Sequence, residues 1–419
     1  MAASITPATK CHHSNGGNRI SPVRVVLVGP SLRTLLGGQE VQLGLLYRGW
    51  SGDASVEVSL VFNNPELSTG LRWVEHVPCL RTLVRFPFYV ASLWHATKHA
   101  DIVHAFSASH SSFLLAPVPA CVVARLLRKK TLIHYHSRRG LEHLTDSALA
   151  RLVLQRTDSV VVPSTYLADV FRQFGVDATI VPNVVDLVHF SYRPRIQLRP
   201  LLLCTRNFDD YCGVDIVVRA FRRIKDVVPS AQLCLVGKGK QERFIRGLIL
   251  ELHLEDVEFS GPIPRERMGE IYATSDMFIN ASRGDNMPVS ILEAFASGLP
   301  VATTAAGGIP RMLKHEVTGL LCEVGDWQGL ANNVIRLLRD NRLASALAQN
   351  AYETVKQYTW ATVRERWLEV YESLFAPKGP SCCNDQPFRS LQCPAAARVI
   401  QVRERMKTFE PDSWPSREL

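Results

Sequence analysis

The chain has 419 residues, enough for two or three domains of ordinary size, and its 46% hydrophobic and 21% charged residues are typical of a globular protein. A formal net charge of +9 favours an anionic partner such as a nucleotide, an acidic glycan or a lipid headgroup, without choosing among them. The uncharged apolar run 111–124 is too short for a transmembrane helix, and the first twenty residues lack the apolar segment of a secretory signal.

The ten cysteines are scattered and form no CxxC pair. Cys204 and Cys234 lie in apolar runs typical of buried strands, where a thiol behaves as a small hydrophobe, so a reducing, cytoplasmic setting is favoured. A Cys-His-His group at 11–13 and three cysteines at 382–393 lack zinc-ligand spacing. We therefore expect no metal site and no cofactor.

The first half alternates strand and helix patterns, which predicts βαβ units and a parallel sheet. Residues 1–22 have no apolar periodicity and predict a disordered lead. A strand at 24–28 then leads to Gly37 and Gly38, and such a pair lets the backbone approach a ligand closely. The other predicted elements are strands at 56–62, 102–104, 131–135, 159–162 and 179–181, and helices at 39–47, 112–127, 147–155 and 165–174.

The second half repeats this alternation after a proline-containing segment without regular period at 187–200. We place a domain boundary there, between domains at 23–190 and 191–358. An amphipathic crossover helix at 359–375 and a disordered tail at 376–419 follow. The predicted strands are 201–204, 232–236, 257–259, 276–280 and 318–322, and the helices are 214–226, 241–250, 265–273, 289–297, 328–340 and 343–357.

The stretch from Asn280 to Arg311 contains the clearest functional pattern. Pro288 suits the first position of a helix, which places Asp285 in the entry loop and Glu293 on the helix. A helix N-terminus suits an anion such as a diphosphate, and two carboxylates beside it would suit the hydroxyls of the same ligand. The pattern therefore indicates a nucleotide sugar; the alternative is a buried helix with a solvated aspartate and an incidental glutamate.

The motif DNMPVSILEAFASGLPVATTAAGGIP resembles the donor-site signature of retaining GT-B glycosyltransferases of the family 4 type. The likeness extends over residues 23–375. It implies an α/β fold of two Rossmann-like domains facing each other across a deep cleft, with the C-terminal helix returning to the N-terminal domain. Further matching blocks, in chain order, are GGQEVQ, DIVHAFS, VPSTYLADVF, VPNVVD, RNFDDYCGVDIVVRAF and LVGKGK.

The resemblance implies roles for the residues of the central motif. Glu293 would hold the ribose hydroxyls, and Asp285 would hold hydroxyls of the transferred sugar. Because the family usually has glutamate where Asp285 stands, sugar preference is not carried over. Backbone groups at Pro288, Val289 and Ser290 would meet the diphosphate, in agreement with the helix-terminus argument.

Arg206 matches the family arginine that neutralises the departing diphosphate. The family's usual lysine partner is replaced here by Cys212. Full stabilisation of the leaving group therefore needs another cation, for which Lys238 and Lys240 are candidates. The family generally works without a divalent cation, and no suitably placed acidic pair is present in this sequence.

His136 matches a family histidine at the cleft that contacts the donor sugar or the acceptor. A neutral imidazole can donate a hydrogen bond there without adding charge. His134 points to the same side of the predicted strand and is the alternative, whereas His104 is expected in the core or behind the site.

Glycines are expected on both sides of the cleft. Gly37 and Gly38 would close over the reacting phosphate from the N-terminal domain. Gly237 and Gly239 would form a loop on the donor side. Each pair alone is a weak signal.

We therefore expect a hexosyltransferase-like enzyme that moves a sugar from a nucleotide diphosphate-sugar donor to a hydroxyl acceptor in polysaccharide or glycolipid assembly. The family implies retention of configuration, and because no carboxylate nucleophile is evident, departure and attack on one face is the expected route. A catalytically silent nucleotide-sugar-binding protein is the alternative, motivated by Cys212 and Asp285. A Rossmann oxidoreductase is disfavoured because no GxGxxG follows the first strand.

A basic segment, Arg125 to Arg139, lies in the half that receives the acceptor in such enzymes. It indicates a glycan or lipid-linked acceptor and peripheral contact with the inner face of a membrane. The alternative is a solvated basic helix end that complements its own dipole. No nucleic-acid partner is expected.

Overall fold

The computed structural model describes residues 21–32, 37–66 and 77–376. The predicted lead and tail, with the cysteine groups at 11–13 and 382–393, lie outside the described residues except for 21, 22 and 376. The described part contains two six-stranded parallel sheets joined by helices, which confirms the predicted α/β class. None of its helices is both long and apolar enough to cross a membrane.

The first sheet has the strand order β2-β1-β3-β4-β5-β6, with every neighbouring pair parallel. β1 is almost wholly buried because its sequence, VRVVLVG, is a β-branched run that suits a strand covered on both faces. The strands are β1 (Val23–Gly29), β2 (Val56–Phe62), β3 (Ile102–Ser107), β4 (Lys130–Tyr135), β5 (Ser159–Val162) and β6 (Thr179–Ile180).

The helices of the first half differ from the prediction in three places. α2 was not predicted because Pro87 lies inside it, and proline normally ends a helix. α5 was also missed, and the predicted helix at 112–127 is two helices, because Ala116 precedes a proline and leaves the helical conformation. The helices are α1 (Gly38–Trp50), α2 (Pro78–Lys98), α3 (Ser111–Leu115), α4 (Pro117–Leu126), α5 (Gly140–Asp146), α6 (Ala148–Gln155) and α7 (Thr165–Arg172).

The second sheet has the order β12-β11-β10-β7-β8-β9 and is also parallel throughout. Its strand 301–304 was absent from the prediction, since a four-residue stretch, VATT, after a Gly-x-Pro turn carries little periodicity. The strands are β7 (Leu201–Thr205), β8 (Gln232–Val236), β9 (Val257–Gly261), β10 (Met277–Asn280), β11 (Val301–Thr304) and β12 (Leu320–Cys322).

The helices of the second half agree with the predicted ones to within a few residues. A further short helix, α12, was not predicted. They are α8 (Val214–Val227), α9 (Glu242–Glu251), α10 (Arg265–Thr274), α11 (Val289–Ala296), α12 (Ile309–Met312), α13 (Trp327–Arg339), α14 (Asn341–Val355) and α15 (Trp360–Ser373).

In each sheet, the order in which strands are added changes side once, in a reversal beside the first strand. β2 lies on one side of β1, and the next strand in the chain, β3, lies on the other side of β1. In the same way, the chain builds from β7 to β9 and then returns to β10 beside β7. Ligands of open α/β sheets bind at such points, beyond the carboxyl ends of the strands. Arg206 follows β7 and Asp285 follows β10, so both lie at the reversal of the second sheet.

The last helix, α15, returns to the first half, as predicted. Its Trp367 and Tyr371 are buried in the core that contains Trp50. The Arg364 Nε donates to Asp53 Oδ2 over 2.6 Å, and this ion pair is only partly exposed. The core of the first half is therefore completed by residues more than 300 positions away in the chain.

Three histidines lie side by side here, with His104 and His134 buried in this core and His136 half-buried at its edge. The ring centroids of His104 and His134 are 5.4 Å apart, and those of His134 and His136 are 4.0 Å apart. The Tyr371 hydroxyl lies 2.9 Å from His104 Nδ1, whereas both ring nitrogens of His134 lack a partner among the described residues. Burial lowers the pKa of His104 and of His136 to about 3 and that of His134 well below its ordinary value, so all three rings are neutral near pH 7.

Acid should destabilise the fold through these rings. Their folded pKa values lie below the unfolded value of about 6.5, so the unfolded chain binds more protons and stability falls as the pH drops from about 6.5 towards the folded values. We expect His134→Phe to reduce the pH dependence of the free energy of unfolding by up to about 1.4 kcal/mol per pH unit between pH 6 and 5. Denaturant titrations at several pH values measure this.

The exposed His95 on α2 provides the matched control for this measurement. His95→Phe makes the same change of side chain at an exposed position, so it controls for the substitution itself without removing a buried imidazole. An equal slope for His134→Phe and the unmodified protein would contradict a buried neutral ring at this position.

Candidate active site

A cleft of about 470 Å³ lies between the two halves, within the usual range for small-molecule sites. It is lined by the loops that follow most strands of both sheets and by the first residues of α1 and α11. Every predicted site residue except Gly239 lines it. These residues are Gly37, Gly38, His136, Arg206, Gly237, Asp285, Pro288, Val289, Ser290 and Glu293.

Arg206 and Asp285 form a direct ion pair in the cleft. Arg206 Nη2 lies 2.5 Å from Asp285 Oδ2, and the two side chains are 11% and 14% exposed. Burial disfavours the charged guanidinium, but the Asp285 carboxylate outweighs this and raises the pKa of Arg206 above its ordinary value. Arg206 Nη1 also lies 3.4 Å from the Ser290 hydroxyl, so the guanidinium reaches the first turn of α11.

The loop from Asp285 to Pro288 is held by the later glycine pair. Gly308 N donates to the Asp285 carbonyl over 2.9 Å. A Cβ on Gly307 would lie 2.2 Å from that carbonyl oxygen, and a Cβ on Gly308 would lie 1.9 Å from the carbonyl oxygen of Asn286. Both positions therefore require glycine for the loop to lie where it does.

The N-terminus of α11 opens onto the cleft. Pro288 precedes the helix, no side chain caps it, and Pro288, Val289 and Ser290 all line the cleft. Free backbone N–H groups with the partial positive charge of the helix end can bind an anion there. On the other side of the cleft, a Cβ on Gly38 would lie 3.9 Å from Val289 Cγ2, so the starts of α1 and α11 face each other.

Glu293 is buried and accepts two side-chain hydrogen bonds. Arg265 pairs with Oε1, and the Tyr272 hydroxyl lies 2.9 Å from Oε2. Burial, together with the Glu293 carboxylate, raises the pKa of Tyr272 well above its ordinary value, so the hydroxyl stays protonated and donates. A carboxylate has about four acceptor positions, so Glu293 retains capacity for further hydroxyl donors.

Arg265 was not among the predicted site residues. It is the first residue of α10, lines the cleft, and its Nη2 is buried without a partner in the described part of the chain. Its position at the end of the β9 loop is the signal that could have identified it, because the loops after parallel strands meet at one edge.

His136 lines the cleft, whereas His134 and His104 lie behind it in the core. The His136 ring stacks on Phe106 with an interplanar angle of 6°. Its Nε2 is buried without a partner in the described residues. The structure therefore favours His136 over His134 as the histidine that faces a ligand, and it is neutral at physiological pH because burial lowers its pKa.

Cys212, which stands where the family usually has a lysine, carries no charge. Cys212 Sγ lies 3.8 Å from Arg206 Nη2, and burial raises the pKa of this thiol, which keeps it neutral. Of the two lysines proposed as substitutes, Lys238 lines the cleft and Lys240 does not.

Gly237 and Gly239 take part in packing between loops. A Cβ on Gly237 would lie 2.2 Å from the Arg206 carbonyl oxygen, and one on Gly239 would lie 2.4 Å from that of Phe208. The two glycines therefore let the loop after β8 approach the loop that carries Arg206. Gly237 also lines the cleft, but the structure does not bring Gly239 to it.

Two asparagines of the cleft were also missed as site residues. Asn183 Nδ2 donates to the Met287 carbonyl over 2.9 Å, and the Ser164 hydroxyl donates to Asn286 Oδ1. Asn183 Oδ1 and Asn286 Nδ2 are buried without partners in the described part of the chain. An acceptor and a donor are thus available for ligand hydroxyls.

No group of three or more histidine, cysteine, aspartate or glutamate side chains that could hold a metal ion occurs in the described residues. Positive charge at the cleft is supplied by arginines, Lys238 and the α11 terminus.

We predict that Arg265→Met lowers the free energy of unfolding by about 3–5 kcal/mol, because it leaves the buried Glu293 carboxylate without its cation. Urea unfolding at pH 7 measures the loss. Arg267→Met is the control on the same helix, where an exposed pair with Glu270 contributes at most about 1 kcal/mol. Equal losses in the two variants would contradict the importance of the buried pair.

Two family models match consecutive parts of the chain. The model described as Glycosyltransferase Family 4 matches residues 36–189, and the model described as Glycosyl transferases group 1 matches residues 193–354. The first match covers the half with the first sheet apart from β1, and the second covers most of the other half.

Curated relatives share between about a quarter and a third of the aligned residues. An N-acetyl-alpha-D-glucosaminyl L-malate synthase from Bacillus anthracis is 32% identical over 54% of this chain and 61% of its own length. A GDP-mannose-dependent alpha-(1-6)-phosphatidylinositol monomannoside mannosyltransferase from Mycobacterium tuberculosis is 30% identical over 52% of this chain and 62% of its own length. The chain thus spans less than two thirds of these relatives.

Solved structures share the fold at lower identity. HepE from Anabaena, in complex with UDP and glucose, has a TM-score of 0.67 at 19% identity, covering 84% of this chain and 100% of that chain. Sucrose-phosphate synthase from Thermosynechococcus elongatus also has a TM-score of 0.67, at 22% identity, covering 84% and 99%. With both halves matched in order and the two-sheet fold shared, this chain belongs to the GT-B glycosyltransferases of the family 4 type, the glycosyl transferases group 1.

Proposed function

We propose that this chain transfers a sugar from a nucleotide diphosphate-sugar to a hydroxyl acceptor with retention of configuration. The observation that carries the proposal is Arg206, whose guanidinium lies at the open N-terminus of α11 in the cleft. A cation and a helix terminus directed at one place suit the diphosphate of such a donor. The names of similar proteins support this donor class, since one depends on GDP-mannose and another was solved with UDP and glucose.

The donor would lie along α11. The diphosphate would meet the backbone N–H groups of Val289 and Ser290, and the remaining acceptor positions of Glu293 would take the ribose hydroxyls. Asp285 and the free amide atoms of Asn183 and Asn286 would bind hydroxyls of the transferred sugar.

The reaction breaks the bond between the anomeric carbon and the diphosphate oxygen. The electron pair goes to that oxygen, and the negative charge that develops there is stabilised by Arg206 and the α11 terminus. The acceptor oxygen bonds to the anomeric carbon from the same face and passes its proton to the departing diphosphate. The neutral His136 ring would position a hydroxyl of the sugar or the acceptor without adding charge.

The carboxylates at the cleft support attack on one face. Among the described residues that line it, Asp285 and Glu293 carry carboxylates, and each is paired with an arginine. A double displacement needs a carboxylate nucleophile placed against the anomeric carbon. Carboxylates already held by arginines are poorly suited to that role.

The second candidate is a nucleotide-sugar-binding protein without turnover. Two observations favour it: Arg206 is already in an ion pair with Asp285, and Cys212 is uncharged. Both features reduce the net positive charge available to a leaving diphosphate.

Release of nucleoside diphosphate separates the two candidates. A thermal-shift screen of UDP-, GDP- and ADP-sugars first identifies the donor, since a ligand of the folded state raises its stability. With that donor, we expect Arg206→Ala and Glu293→Gln to lower kcat/KM by about 100- to 1000-fold. Arg222→Ala, which removes an exposed pair with Asp226 on α8, is the control and should keep full turnover.

Donor binding without release, with any acceptor tested, would favour the silent binder. Release that is equally fast in Arg206→Ala and the unmodified protein would refute the assigned role of Arg206. Arg206→Lys, which keeps a positive charge opposite Asp285, guards against loss of activity through misfolding.

We also propose that a lipid-linked or glycan acceptor is reached from a membrane surface. The basic segment predicted for this contact is divided in the structure: Arg138 and Arg139 line the cleft, whereas Arg128 and Lys129 lie at the other end of β4. Arg128 and Lys129 adjoin the exposed apolar side chain of Leu126 on α4, which together suit an anionic lipid surface.

Reversing both charges should weaken membrane association. We expect Arg128→Glu with Lys129→Glu to reduce co-sedimentation with phosphatidylserine vesicles at least about 5-fold, since each basic residue near such a surface contributes about 1 kcal/mol. Lys130 is left unchanged because it pairs with Asp158 over 3.7 Å. Arg172→Glu, on α7, is the control. Unchanged sedimentation of the double variant would contradict the proposed membrane contact.

A further inference from the structure

The charges that line the cleft divide into paired and unpaired groups. Arg206 pairs with Asp285, Arg265 pairs with Glu293, and Arg139 pairs with Glu142 just outside the cleft. Arg138 and Lys238 also line the cleft, and neither forms an ion pair with a carboxylate of the described residues. The excess positive charge offered to an anion therefore comes from these two residues and the α11 terminus.

Arg138 is held across the cleft by an aromatic ring. It follows β4 in the first half, and its guanidinium lies 3.5 Å from the centroid of the Tyr211 ring in the second half. Its Nη1 lies 3.9 Å from the position that a Cβ on Gly284 would occupy, next to Asp285. Stacking fixes the plane of a guanidinium while leaving its N–H donors free for an anion.

The two guanidinium groups flank one short segment. Tyr211 carries Arg138 on its ring, and the next residue, Cys212, has its Sγ 3.8 Å from Arg206 Nη2. Arg206 in turn reaches Ser290 at the start of α11. The half-buried Arg138 and Arg206 therefore line the same cleft on either side of the Tyr211–Cys212 segment.

Lys238 is less suited to this task. Its side chain is exposed, and no ring or carboxylate in the described residues holds it in place. Fixing a free lysine side chain on a ligand costs more conformational entropy than using a guanidinium that is already stacked.

We propose that Arg138 contacts the sugar-linked phosphate of the donor and stabilises it as it departs. This inference deepens the proposed transferase function and depends on it. When the bond to the anomeric carbon breaks, the electron pair remains on an oxygen of that phosphate, and the guanidinium of Arg138 shares the added charge with that of Arg206. Arg138, a residue of the first half, would thereby supply the positive charge that Cys212 lacks.

The contact is tested by comparing nucleotides that differ in the second phosphate. Calorimetry would measure the affinities of UDP, GDP, ADP, UMP, GMP and AMP for the unmodified protein and for Arg138→Ala, Arg138→Lys and Arg222→Ala. For the base that binds, we expect Arg138→Ala to weaken diphosphate binding about 10- to 100-fold, as for a lost hydrogen bond to a charged group. Monophosphate binding should change less than about 3-fold, since its phosphate adjoins the ribose.

The other variants make the result specific. Arg138→Lys keeps the charge but loses the planar fork, so its diphosphate affinity should lie between those of Arg138→Ala and the unmodified protein. Arg222→Ala is the control, because Arg222 does not line the cleft and forms an exposed pair with Asp226, and it should bind both nucleotides normally. The unliganded melting temperatures verify that each variant is folded.

Each result has one meaning. An equal loss for mono- and diphosphate, no loss for either, or a change confined to the KM for the acceptor would overturn the contact between Arg138 and the second phosphate. If the unmodified protein binds none of the six nucleotides and none of the nucleotide sugars of the thermal-shift screen, the proposed transferase function itself is refuted. If it binds and turns over donor while Arg138→Ala behaves normally, only the present inference fails.

Discussion

Two buried arginine–carboxylate pairs determine what the cleft can bind. Arg206 with Asp285 and Arg265 with Glu293 place four charges among the lining side chains, and each pair is close to neutral. Taking a charge out of water is tolerated only when its partner is in contact, so neither carboxylate can move away without a large cost. The pairs thus fix the positions of the acceptor oxygens before any ligand arrives, and preorganised groups of this kind stabilise charge without further rearrangement.

The backbone of both halves is shaped to bring these pairs together. The sheet reversals beside β1 and β7 turn the carboxyl ends of the strands towards one cleft, and the two helix starts at Gly38 and Val289 face each other there. Gly307 and Gly308 let their chain pass against the Asp285 loop at distances that no side chain would permit. The chemistry of the site therefore depends on contacts between main-chain atoms as much as on charged side chains.

The sequence predicted the architecture well because its signals are local. Apolar runs, turns and the proline at position 288 define strands and helices within a few residues, and ten of the eleven predicted site residues line the cleft. Two failures show the limits of such signals. α2 was hidden by an internal proline, which tertiary packing tolerates. Arg265 was missed, and Arg138 was assigned only to a basic segment, because their contacts are with residues distant in the chain. A pattern along the chain carries no information about such pairings.

The return of α15 to the first half affects how the chain acquires its structure. Val363, Trp367 and Tyr371 fill the core around Trp50, and these residues are synthesised after the whole second half. The second sheet and its helices can form as soon as their own residues leave the ribosome, whereas the first half keeps part of its apolar core uncovered until the last helix emerges. The order of completion during synthesis is therefore the reverse of the order along the chain, and the N-terminal half is the one whose apolar core stays uncovered longest.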